Sequence, residues 1–157
     1  MNKNRDKRIE IAVWIVTSFL LIVFIPKNKI REAQVSFLFK QLLTWIFGLI
    51  VVERNLITYP TRTFFSKSNK SSFTFEYFVY PSLCALFNTH YPYHKNLGFK
   101  FLYFFLHSAG ITITEAVLEK YTSLIKYNKW HWHWTFITIW LTYYTSHLYN
   151  KWFYRRN

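Results

Sequence analysis

Cysteine, methionine, glycine and acid are all scarce in these 157 residues. Cys84 is the one cysteine, which excludes an intrachain disulfide, and its apolar neighbours predict a small buried thiol. The three glycines, Gly48, Gly98 and Gly110, stand far apart, so no glycine-rich loop can cradle a phosphate. There is no Gly-x-Ser-x-Gly, no Gly-Lys-Ser/Thr loop and no His-Glu-x-x-His, which excludes soluble-type nucleotide enzymes and leaves no catalytic nucleophile pattern. Seven acidic residues stand against twenty Lys and Arg, for a net charge of +13. That excess raises nucleic acid as a partner. The bases, however, cluster at the ends of apolar segments and not in one stripe, as snorkelling residues and contacts to anionic lipid do. No nucleic-acid partner is expected.

What is abundant is apolar and aromatic. Phe, Trp and Tyr make up 23% of the chain. The mean hydropathy of +0.02 resembles that of a soluble protein. Hydropathy scales penalise Tyr, Trp and Lys, however, and all three suit a membrane interface. A basic head (Lys3, Arg5, Lys7, Arg8) runs into an apolar stretch from Ile9 to Ile25, about 26 Å of helix, close to the thickness of a bilayer's hydrocarbon core. Ile25-Pro26-Lys27 offers no small-x-small cleavage site, which predicts an uncleaved first span.

Four further segments predict an all-α membrane bundle of about five helices in a single domain, with spans at 9–25, 34–53, 73–89, 99–118 and 134–149. Lys40 falls near the first end of the second span, within reach of the interface by snorkelling. Pro81 lies inside the third and predicts a kink there. The fifth is rich in Thr and Tyr, and its alternative is a helix lying in the interface. Beside Ser108 and Ala109, Gly110 makes a small patch that would permit close helix packing. Asn88 reads as an interhelical hydrogen-bond donor. With the N-terminus inside, Lys and Arg number eleven on cytoplasmic pieces and eight outside, favouring a multi-pass cell-membrane protein with a cytoplasmic N-terminus. Trp130, Trp132 and Trp134 before the fifth span, and Trp152 after it, read as interface anchors.

Three of the four prolines follow tyrosine: Tyr59-Pro60, Tyr80-Pro81 and Tyr91-Pro92. Around them come Thr61-Arg62-Thr63-Phe64, Phe75-Glu76-Tyr77-Phe78, Phe87-Asn88, Thr114-Glu115, Thr122, Leu124-Ile125, Tyr127 and Trp130 with Trp132. From about Ile57 to Trp132 this order resembles a family of uncharacterised small polytopic membrane proteins of spore-forming, low-GC Gram-positive bacteria. The resemblance implies a membrane location and several spans, and it brings no activity with it.

Ionisable residues within a membrane are costly, and so are candidates for function. On the favoured topology Glu76, Glu115, Glu119, Glu53, Arg54, Arg62, His131 and His133 all fall toward the inner face. Three readings stay open for them. In one, Glu115 centres a proton- or cation-handling site, with Arg62 or Arg54 as counter-ion and His131 or His133 as relay. In another, Glu76, Glu115 and Arg62 form a structural network that pins the 54–72 loop. A third leaves each carboxylate hydrated at the interface. Toward the outer face lie His90, His94, His107 and His147, of which His107 and His147 are candidate ligands for haem or a metal. Their spacings match no strong metal motif, and no cofactor is expected. The function expected from sequence is a non-enzymatic accessory or assembly protein of the membrane. A proton-coupled transporter or channel subunit, requiring oligomers, and a lipid-directed enzyme are the alternatives. The partners expected are the bilayer with its anionic lipids, and a second copy or another membrane protein.

Overall fold

The computed structural model describes residues 3–68 and 70–155, which are mostly helical. Helix α1 spans Lys3–Phe24, and a 3-10 turn at Lys27–Lys29 follows Pro26 and leads into α2, Ile30–Glu53. α2 ends at Arg54, and Asn55 then turns left-handed (φ 53°), a conformation that asparagine tolerates at a helix C-terminus. A π-helical segment, Phe73–Val79, passes directly into α3, Tyr80–Thr89. α4 spans Leu97–Tyr121 and opens on Asn96, whose side chain accepts from the Phe99 amide at 2.9 Å. α5 spans Trp132–Phe153.

Two short strands, β1 (Ile57–Thr58) and β2 (Lys126–Tyr127), pair antiparallel, with Ile57 opposite Tyr127. They tie the loop after α2 to the loop after α4. Around them Val51, Ile57, Phe75, Val79, Leu124 and Ile125 form one apolar core. A second core gathers Cys84, Phe87, Phe104, Ile139 and Tyr143. α2 is the central helix and packs chiefly on α3 and also on α5, while α4 packs on α5 and α1 lies against the π segment and α3.

The helices are turned inside out relative to those of a water-soluble protein. α2 buries Ser36, Lys40, Thr44 and Gly48, one residue per turn, and exposes Leu38, Leu42, Ile46 and Ile50. α1 buries Asp6, Glu10 and Thr17, with Ile15 65% and Ile22 80% exposed. The same inversion runs along α4 and α5, where Ser108, Thr112, Ser146 and Asn150 are buried and Phe101, Leu106, Leu141 and Leu148 face out. Among the described residues two stretches can cross a membrane by length and composition, Lys27–Glu53 and Leu97–Tyr121. α1 contains Lys7, Arg8 and Glu10, and α5 is loaded with hydroxyls.

Pro81 stands at the start of α3, where the winding changes from π-helical to α-helical. Proline has no N–H, so the carbonyl of Tyr77 loses its α-type donor and that of Glu76 its π-type donor. The Tyr80 amide bonds Phe75 O, five residues back. Both orphaned carbonyls are taken by α2: Gln41 Nε2 donates to Tyr77 O at 2.9 Å, and Thr44 Oγ1 to Glu76 O at 2.6 Å. Gln41 and Thr44 stand three residues apart, one helical turn, matching adjacent carbonyls on the facing helix.

Removing one donor strands a buried carbonyl. Thr44→Val therefore costs about 1–3 kcal/mol of stability. In a Pro81→Ala background the cost falls by at least half, because the restored N–H supplies a donor. A double-mutant cycle on unfolding of the purified protein measures this, and equal costs in the two backgrounds would refute it.

A buried polar centre between helices two, three, four and five

A cavity of about 80 Å³ lies where α2, the π segment, α4 and α5 meet the β1 loop. Lys40, Glu76, Glu115, Tyr59, Tyr80 and Thr135 are among the residues that line it. The volume exceeds the share of one liquid water, about 30 Å³, so the space has room for more than one small polar molecule.

Glu115 arrives from α4 and is held by three hydroxyl donors. Tyr127 donates to Oε1 at 2.6 Å and Thr135 to the same atom at 2.9 Å, while Tyr80 donates to Oε2. Trp130 Nε1 in turn donates to Thr135 Oγ1 at 2.8 Å, which fixes that hydroxyl. Three of a carboxylate's roughly four acceptor positions are thereby used.

Glu76 is held differently. Tyr59 donates to its Oε1 at 2.9 Å, whereas Oε2 is buried without a hydrogen-bond partner among the described residues. The carboxyl fits only because position 48 is glycine: a Cβ there would lie 1.7 Å from Oε2. Gly48, not Gly110, is therefore the close-approach glycine, since a Cβ at Gly110 would have nothing within 4 Å.

Lys40 completes the set. It is fully buried and does not snorkel, contrary to the sequence expectation, because its face of α2 looks into the bundle. Its ammonium donates to Thr142 Oγ1 and lies 4.7 Å from the centre of the Tyr143 ring. Among the described residues no ion pair within 4 Å joins Lys40 to either carboxylate. From this centre a polar seam continues along α2 and α5, where Asn150 Nδ2 donates to Ser36 Oγ at 2.7 Å. Beside it Asn88 Nδ2 donates to Ser146 Oγ at 3.2 Å, in the interhelical role its sequence position suggests. Cys84 is buried and donates to the same Ser146 hydroxyl at 3.2 Å.

Of the eight inner-face candidates, the structure brings only Glu76 and Glu115 together. Arg62 is no counter-ion to them, because its guanidinium clamps the carbonyls of Tyr59, Ser66 and Lys70, at 2.8, 3.2 and 3.1 Å. Glu119 turns away to Lys126, 3.8 Å from it. Glu53, Arg54, His131 and His133 are exposed, and the two imidazoles stack on each other at 5.4 Å. Toward the opposite end, His107 Nδ1 donates to Tyr103 O (2.9 Å) and its ring packs edge-on to Phe87. His147 lies against the Tyr91 ring at 3.9 Å. His90 and His94 are exposed, and no group of three or more His, Cys, Asp or Glu able to hold a metal occurs among the described residues.

The sequence reading missed Lys40, Gly48 and the tyrosines. The Ser36, Lys40, Thr44, Gly48 series at four-residue spacing carried the signal for the first two. It also missed Asp6 and Glu10, which lie in and just beyond the basic head and are 0% and 2% exposed. Glu10 Oε2 accepts from the Thr63 amide at 2.9 Å and its Oε1 from Thr74 Oγ1 at 2.5 Å, while Asp6 Oδ2 accepts from the Ser123 amide at 2.9 Å. In the loops, burial first and then the neighbouring carboxylates push the phenols of Tyr59 and Tyr127 well above their ordinary range. Both stay neutral and remain donors to Glu76 and Glu115.

No protein-family profile, no curated protein and no solved structure matches this chain.

The seat of Glu76 gives a direct test. Gly48→Ala forces the carboxyl out and destabilises the fold by about 1–3 kcal/mol, the usual cost of overpacking. Truncation of the displaced group in Gly48→Ala/Glu76→Ala recovers most of that loss. Thermal unfolding of the two variants decides it, and no recovery in the double variant would show that Glu76 is not what position 48 accommodates.

Proposed function

We propose that this chain is a five-span integral membrane protein whose buried polar centre exchanges protons. The inverted helices support the membrane placement. A surface with Ile22, Ile15, Leu106 and Leu141 turned outward would associate in water, whereas hydrocarbon requires it. The same reasoning counts α1 and α5 as spans despite their polar residues. Glu10, Thr17, Thr142 and Asn150 face the bundle, where partners take the place of water. The π segment and α3 together form the remaining short span. Positioning of the α1 start, the 54–72 loop and the 122–131 loop at one end agrees with a cytoplasmic N-terminus, through the Asp6–Ser123 and Glu10–Thr63 bonds. The resemblance of the Ile57–Trp132 region supports a bacterial cytoplasmic membrane.

One observation carries the proton reading. Two carboxyl groups and one amine line a single cavity, and with all three ionised they would leave one negative charge in excess inside the bundle. A proton, or another small cation, offsets that charge. A purely structural network would use its polar atoms on one another, yet among the described residues Lys40 reaches neither carboxylate and Glu76 Oε2 makes no hydrogen bond within ordinary limits. Groups with spare hydrogen-bonding capacity around a space large enough for water are what proton exchange requires. Tyr59 beside Glu76, and Tyr80 beside Glu115, extend the chain of hydroxyls.

Proteoliposomes with a trapped pH-sensitive dye and a potassium diffusion potential test the reading. The native protein should acidify the lumen at several times the rate of empty vesicles. Glu76→Gln should lower the excess at least tenfold while the protein still inserts, as judged by resistance to alkaline extraction. Native flux no greater than that of empty vesicles, or unchanged flux in Glu76→Gln and Glu115→Gln, would leave these groups as a structural network.

A further inference from the structure

A second cavity, about 420 Å³, lies between α3 with its π segment and α4. Its walls are mainly apolar, from Phe75, Val79, Leu83, Ile111, Leu118 and Ile125. It also reaches Glu115 and Tyr80, which line the polar centre as well. The two spaces therefore meet at one carboxylate. At the outer margin Leu106, Gly110 and Thr114 belong to the exposed face of α4, and Gly110 has no side chain to close it. On the membrane placement proposed above, this margin opens to the hydrocarbon region, not to water.

We propose that the cleft binds an amphipathic amine, its alkyl chain along the apolar walls and its ammonium on Glu115. Charge selects this occupant. The excess negative charge that a proton offsets in the empty protein is offset by the ammonium when the amine is bound. Glu115 keeps about one acceptor position beyond those used by Tyr80, Tyr127 and Thr135. The aromatic rings of Tyr80 and Phe75 also line the cleft, and aromatic rings attract a nearby cation. The volume lies within the range of small-molecule sites, about 300–1,000 Å³. A neutral chain of the same length fills the walls and leaves the charge unpaired, so it binds less well. The inference deepens the proton reading, for proton and amine would then compete for one charge.

Binding of tritiated dodecylamine to the full chain in phosphatidylcholine nanodiscs, with empty discs as background, tests it. The expected result is saturable binding of about one amine per chain, with dodecanol at least tenfold weaker as a competitor. Glu115→Gln should reduce that preference below twofold. Gly110→Trp, at an exposed position with open space around it, should abolish saturable binding without changing the melting temperature. Competition by dodecanol equal to that of the amine, or native-like binding in Gly110→Trp, overturns the proposal. So does the absence of saturable binding, as when a bilayer acyl chain occupies the cleft. No proton gradient enters this measurement, so binding with no vesicle flux would refute proton exchange alone, and flux without selective binding would refute the cleft alone.

Discussion

The missing N–H of Pro81 governs the middle of the molecule. A proline inside a helix leaves backbone acceptors without donors, and within an apolar bundle water cannot supply them. Here the shortage falls on Glu76 O and Tyr77 O, and two side chains of α2 meet it. That exchange fixes the register between α2 and the π segment to within a hydrogen bond. Gly48 lies four residues beyond Thr44 on the same face of α2, so the register also sets the glycine opposite the Glu76 carboxyl. The polar centre thus inherits its position from a backbone defect. π-helical insertions are known for placing side chains that regular winding would misdirect, and Glu76 sits inside this one.

The two carboxylates illustrate how one environment produces two different groups. Glu115 has donors on both oxygens, drawn from three separate elements, and one of those donors is itself anchored by Trp130. Glu76 accepts from Tyr59 on one oxygen, has Ser71 and the Ser72 amide nearby, and sets its other oxygen against the backbone of α2 at Gly48. The asymmetry holds the Glu115 carboxyl in place from three directions and leaves that of Glu76 seated chiefly by packing on α2. Neither is met by an arginine among the described residues, for Arg62 is occupied in folding the loop beneath them.

Much of the helical order was legible in the sequence, because apolar runs and their charged or prolyl ends are local signals. The helix ends fall within a few residues of the expected spans, except for α1, which continues through the basic head to Lys3. The candidate site was only half legible. Glu76 and Glu115 stood out as carboxylates in apolar surroundings, and that signal is also local. Their partners did not, because Tyr59, Tyr80, Tyr127 and Thr135 become donors only once four elements have been brought together. Lys40 was misplaced for a related reason. Its distance from the helix end permitted snorkelling, and only the packing of α2 on α3 and α5 shows that its face turns inward. Asp6 and Glu10 were overlooked because neighbouring bases dominate the charge count, although it is the acids that are buried.

Those two acids bear on the order in which the protein is made. α1 is made before its partners, for Asp6 finds its own 117 residues later at Ser123, and Glu10 binds 53 and 64 residues away at Thr63 and Thr74. Glu10 has its partners once the 63–74 stretch has followed α1, whereas Asp6 lacks its amide donor until the loop after α4 exists. The start of α1 is consequently secured in two instalments, the second of which closes the end of the bundle where the loops converge.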